Sequence, residues 1–132
     1  MRSDKRYKAV FFDMGYTLVN FDPSAEALLR QALQQIGVET TQQELAQAQQ
    51  AARHALTSEY ASELETLASR QADLERELAG RRALLAELGV NDEEAVEALF
   101  AREDALFSAP GAVRLYPEVR FVLAELCQQG FR

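Results

Sequence analysis

From Thr41 to Ala79 the chain contains neither glycine nor proline. Within that stretch Leu45, Ala48, Ala52, Leu56, Tyr60, Leu64, Leu67, Leu74 and Leu78 recur mostly at spacings of three, four or seven. Apolar residues at those intervals line one face of a helix, so the stretch predicts one long helix over 41–79, or two in line. Gly80 weakens the run, Leu84, Leu85 and Leu88 resume it over 81–88, and Gly89 closes it. Thr41 with Glu44 three residues on is a capping box, and Asn91 with Glu94 predicts a similar start for a helix over 92–107, with Ala95, Leu99, Ala105 and Phe107 as its apolar points. A helix over 23–36 is expected from Asp22 as N-cap, Pro23 in the first turn, the stripe Ala27, Leu28, Ala32, Leu33 and Ile36, and the stop at Gly37. Residues 108–116 read as a loop. Pro117 then opens a last helix over 117–129, with Val119, Leu123, Leu126 and Cys127 facing inward and Gly130 as its stop.

Against this helical background one segment stands apart. Residues 7–12 (YKAVFF) are short, apolar and rich in β-branched and aromatic side chains, which predicts a buried strand. One strand cannot satisfy its own N–H and C=O groups, and each left buried and unpaired costs about 1–3 kcal/mol. The expectation is a strand over 7–13 whose partners are missing or come from another chain. The end of the sequence has a matching form, a helix and a glycine followed by Phe131 and Arg132, as though a second strand were beginning. The chain therefore reads as the N-terminal part of a βαβ-type protein, ending before its second strand.

Composition narrows the function classes. With 14 Lys and Arg against 21 Asp and Glu, the formal net charge of -7 argues against a nucleic-acid partner, which needs a basic face. No apolar run approaches the ~20 residues of a membrane span, and the short run after the charged start is too brief for a secretory leader. No membrane partner and a cytoplasmic location are expected. Cys127 is the sole cysteine, so no internal disulfide forms.

The segment 7–12 runs directly into Asp13, with Met14, Gly15, Tyr16, Thr17 and Leu18 following. A carboxylate leaving the C-terminal end of a parallel strand sits where open α/β sheets bind ligands. There it can act as a nucleophile or as a ligand for a hard cation. Gly15 permits close backbone approach, Thr17 can hydrogen-bond within the turn, and a loop lined by N–H groups suits phosphate oxygens. A turn aspartate with no chemistry is the plainer alternative.

Residues 9–18, AVFFDMGYTL, resemble the first motif of the haloacid dehalogenase-like (HAD) hydrolases, a hydrophobic strand followed by Asp-x-Asp-x-Thr and often Leu or Val. Residues 115–131, LYPEVRFVLAELCQQGF, resemble the helix that returns to the core of those proteins after a helical cap. The resemblance implies an α/β, Rossmannoid parent in which this chain is mostly α. Residues 1–19 and 111–132 would be a partial core, residues 20–110 a helical cap, and the second motif would follow the end of the chain. It also implies Asp13 as nucleophile and Mg²⁺ ligand, Gly15 as a second Mg²⁺ ligand through its C=O, backbone N–H groups of Met14 and Gly15 on the phosphoryl group, and Thr17 as the brace of the loop. The substrate would be a small phosphorylated molecule, and the isolated chain would be inactive.

Gly15 departs from the motif, which usually has a second Asp there as general acid/base. Three chemistries then compete. A phosphatase would use good leaving groups or another acid; a dehalogenase needs no acid; a phosphonate hydrolase needs a cap lysine, but Lys5 and Lys8 are the only lysines. Non-enzymatic readings are a helical interaction module built on residues 41–88 or a degenerate phosphate binder. Self-association through the unpaired strand or the cap helices is a further expectation. Arg81 and Arg82 read as a solvated helix face with anion capture as the alternative. His54 reads as solvated or packed, Cys127 as core, and Tyr16 as a side chain able to line a pocket.

Overall fold

The computed structural model describes residues 7–60 and 70–131. Along the chain these form β1 (Val19–Phe21), α1 (Ala25–Gln35), α2 (Gln42–Tyr60), α3 (Arg70–Glu87), α4 (Glu93–Phe107), β2 (Val113–Leu115) and α5 (Val119–Gln128). The part of the expected 41–79 helix between Tyr60 and Arg70 lies outside the described residues.

The helix ends follow from local chemistry. At the start of α2 the expected box is complete. Thr41 Oγ1 accepts from the Glu44 N–H at 3.2 Å, and the Glu44 carboxylate accepts from the Thr41 N–H at 2.8 Å. These bonds satisfy two donors that an isolated helix start leaves unmet. The Thr41 N–H, and second the Thr41 hydroxyl donating to the same Glu44 oxygen at 2.8 Å, hold the Glu44 carboxyl below its ordinary value. Two caps differ from expectation by a residue or two. Ser24, not Asp22, caps α1 by accepting from the Ala27 N–H, and Asp92, not Asn91, caps α4 by accepting from the Glu94 N–H. In each case a competing short polar side chain lies nearer the first helical turn. Gly37 and Gly89 take left-handed backbone just past α1 and α3, with φ of 82° and 81°.

α1 to α4 pack around one apolar core. Leu33, Leu45, Leu85, Leu99 and Val96 are its largest fully buried side chains, with Leu29, Ala32, Ala48, Ala52 and Leu84 completing it. α3 packs against both α2 and α4, and α1 against α4. Gly80 does not divide α3. The helix runs through it, because Ala79, Leu84 and Leu85 are buried on either side and outweigh the ~1 kcal/mol that a glycine costs relative to alanine.

β1 and β2 form an antiparallel pair, Val19 opposite Leu115, Asn20 opposite Arg114 and Phe21 opposite Val113. The Asp22 N–H donates to the Ala112 carbonyl, the Tyr116 N–H donates to the Leu18 carbonyl, and the Arg114 guanidinium meets the Asp22 carboxylate at 2.8 Å. The segments entering and leaving the helical bundle are thus joined. This corrects the reading of 108–116 as a loop: three residues cannot show a period, and their strand exists only because β1 lies alongside.

Two further expectations are corrected. Residues 7–12 form no strand and are not buried; Phe11 is 94% exposed and Tyr7 67%. A ladder needs a second row of N–H and C=O groups, and among the described residues no strand runs beside this segment. α5 buries Val119 alone. Phe121, Val122 and Leu123 are exposed, as is Cys127, so its apolar stripe faces outward, and among the described residues no element covers it.

Candidate functional site: the Asp13 turn

The turn after Asp13 is built on one acceptor. The Met14 carbonyl receives the N–H groups of Thr17, Leu18 and Val19 at 3.3, 2.9 and 3.1 Å, and the Tyr16 N–H donates to the Val19 carbonyl at 2.8 Å. Four backbone bonds therefore close the loop from Met14 to the first residue of β1. This makes a rigid base that β2 holds in register through Val19 and Leu115. The Thr17 hydroxyl donates to Asp13 Oδ2 at 3.2 Å, so the side chain four residues downstream orients the carboxylate. Asp13 and Gly15 are exposed, and Met14 is 66% so. The arrangement presents a carboxylate to solvent with one oxygen anchored and the other available.

Tyr16, not Gly15, carries the unusual backbone. Its φ is 59°, in the left-handed region that costs a non-glycine residue about 1–2 kcal/mol. The four backbone bonds hold it there. Gly15 lies outside that region, and a Cβ placed on it would meet nothing within 4 Å. The loop therefore does not need glycine at position 15 for its shape. No sequence signal marks the Tyr16 conformation, since Gly, Asn and Asp are the residues that usually announce it. The ring of Tyr16 lies edge-on to Phe21 with centroids 6.1 Å apart, and Phe21 meets Phe107 of α4 in the same way at 5.0 Å. An aromatic row thus links the Asp13 turn, β1 and the end of the helical bundle.

The other candidates separate from this turn. Arg81 pairs with Glu103, donates to the Glu77 carbonyl at 2.9 Å and stacks over Phe100 with its guanidinium carbon 4.7 Å from the ring centroid. Arg82 pairs with Glu93 of α4, an exposed contact whose hydrogen bond holds the Glu93 carboxyl below its ordinary value. Both arginines join α3 to α4, so the solvated-face reading fails for Arg81, which is largely covered. A cavity of about 300 Å³ between α2, α3 and α4 is lined by Arg53, Arg76, Arg81 and by the carboxylates Glu77 and Glu103. His54 lies on the exposed face of α2. Among the described residues no group of three His, Cys, Asp or Glu comes together as a metal cage, and no helix is long and apolar enough to cross a membrane.

Comparison with protein families finds that the model for haloacid dehalogenase-like hydrolases matches residues 7–132. The chain belongs to this hydrolase family. The match includes both the Asp13 turn and α5, and a HAD-like hydrolase that is mostly helical with a small two-stranded sheet agrees with the fold class expected for this stretch. No curated protein matches the chain.

Proposed function

We propose that Asp13 is the nucleophile of a Mg²⁺-dependent phosphatase acting on a small phosphorylated metabolite. The observation that carries this is the Asp13 carboxylate, exposed at the rim of a rigid turn, with Oδ2 held by Thr17 and Oδ1 open to an incoming phosphorus. Attack by Asp13 forms an oxygen–phosphorus bond as the bond to the leaving oxygen breaks, giving an aspartyl phosphate. Water then hydrolyses that acyl phosphate and returns the carboxylate. Thr17 keeps the carboxylate from rotating away, and Met14 and Gly15, whose N–H groups would hold the phosphoryl oxygens, are exposed residues of the same segment. Asp13 and the Gly15 carbonyl are hard oxygen donors two residues apart, the type of set that Mg²⁺ takes from proteins when substrate phosphate and water complete its shell. When bound, the ion would offset the charges that Asp13 and the phosphate bring together.

Gly15 supports a second reading. It supplies no acid for the leaving group, and halide leaves without a proton, so hydrolysis of a 2-haloacid on Asp13 is the alternative. The two are separated on the enzyme with an aryl or acyl phosphate in Mg²⁺ and with a 2-haloacid in chelator. Phosphate release that Asp13→Asn lowers at least ~10³-fold supports the phosphatase. Halide release at full rate in chelator overturns it.

A further inference from the structure

We infer that Tyr16 is a specificity-determining residue whose ring stacks on a planar aromatic leaving group, so that the favoured substrates of the Asp13 turn are aryl phosphate monoesters. This deepens the phosphatase reading and rests on it. Three observations converge. Tyr16 is held in left-handed backbone by bonds that belong to the same turn as Asp13, which fixes where its ring can point. Strained backbone that persists at a non-glycine residue marks a position where the surroundings over-determine a side chain's placement. The ring is also supported. It packs against Phe21 with the two planes at 65°, Phe107 packs in turn against Phe21, and Tyr16 remains 63% exposed. A supported, exposed aromatic ring is a platform for another ring.

The third observation is chemical. Position 15 has no side chain to protonate a leaving oxygen, so the turn suits esters whose leaving group departs as a stabilised anion. A phenolate is such a group and an alkoxide is not. The missing acid and the exposed ring, two separate features of one loop, select the same substrate class. An alkyl phosphate would gain nothing from Tyr16 and would lack its proton.

The test uses the 132-residue protein in excess Mg²⁺, with binding read from the ring protons of Tyr16 and Phe21 by NMR. The probes are phenyl phosphate, methyl phosphate and phenol. Phenyl phosphate is expected to bind about three- to tenfold more tightly than methyl phosphate, the range that one aromatic stack supplies. It should shift the Tyr16 ring signals. Tyr16→Gly, which keeps the backbone conformation at ease, should bring the ratio close to one, and Tyr16→Phe should restore it. Equal affinities in the wild type, or a preference that survives Tyr16→Gly, would overturn the inference while leaving phosphate binding at the turn intact. Phenol shifting Tyr16 while neither phosphate ester binds better than phenol would instead remove the phosphatase reading, and the aryl ester assignment with it.

Discussion

At Gly15 the structure separates two roles that a glycine can play. Its backbone is not of the kind only glycine adopts, and space surrounds the missing Cβ. An aspartate there is therefore expected to fold without strain and to place a carboxyl beside Asp13. In the enzyme Gly15→Asp should raise kcat/KM for alkyl phosphates by about 10²–10⁴-fold, the usual contribution of a positioned general acid. It should change aryl phosphate turnover far less, because phenolate leaves unassisted. Steady-state kinetics on methyl and phenyl phosphate check this, and equal gains on both would show that the added carboxyl does something other than protonate the leaving group. The single residue that the loop does constrain is Tyr16, whose neighbours in sequence gave no indication of a φ of 59°. Its conformation is set by the Val19 carbonyl and by the three N–H groups converging on Met14, which is a property of the closed loop.

Among the elements, α3 is where reading residues one at a time misled. Gly80 was expected to interrupt the helix, yet the chain stays helical from Arg70 to Glu87. The reason is the burial of Ala79, Leu84 and Leu85 on either side, and a Cβ at position 80 would meet Leu56 Cδ1 of α2 at 3.9 Å, an ordinary contact. Gly80→Ala should consequently stabilise the protein by about 0.5–1 kcal/mol, by removing backbone freedom from the unfolded chain without crowding α2. Chemical denaturation would measure it, with an unchanged m-value. A loss of stability would mean that α2 approaches α3 more closely than this geometry allows. The capping box of α2 shows the opposite case. Thr41 and Glu44 were legible as a pair because both partners lie within one turn, and local hydrogen bonds do not depend on what the rest of the chain does. In α5 the apolar stripe was equally legible, but what covers a stripe is not local information, and here Phe121, Val122 and Leu123 face solvent.

For the whole molecule, the Arg81–Glu103 pair between α3 and α4 is one of the contacts through which stability depends on pH. Burial raises the Glu103 carboxyl above its ordinary 4.5, Arg81 opposes that, and Glu77 adds to it. A carboxyl raised on folding favours the folded state at pH below the unfolded value, and that contribution is lost as pH rises through the folded value. Glu44 and Glu93, both lowered, act in the other direction: their contribution is present above the unfolded value and lost as pH falls through the folded one. Comparing Glu103→Gln with the wild type isolates the first effect. The melting temperature of the variant relative to wild type should be more favourable at neutral pH than near pH 4, because only the wild type must carry the largely covered charge. A difference independent of pH would show that Glu103 keeps one protonation state throughout. Phe11, Phe12, Met14, Phe121 and Leu123 remain exposed, so these apolar side chains contribute little to this stability.

The sequence by itself determined where helices lie, the capping box of α2 and the candidacy of Asp13. A helix is bonded to its own preceding turn, its buried face repeats every three or four residues, and a capping side chain reaches only two or three positions. The carboxylate after YKAVFF with Gly15 and Thr17 behind it was visible for the same reason, as a pattern within one short segment. Tertiary structure alone decided that Val19–Phe21 pairs with Val113–Leu115, that residues 7–12 find no ladder, that α3 passes through Gly80 and that the rings of Tyr16, Phe21 and Phe107 line up. Each of these depends on groups brought together from distant parts of the chain, and neither the period of a segment nor the chemistry of its residues contains that distance.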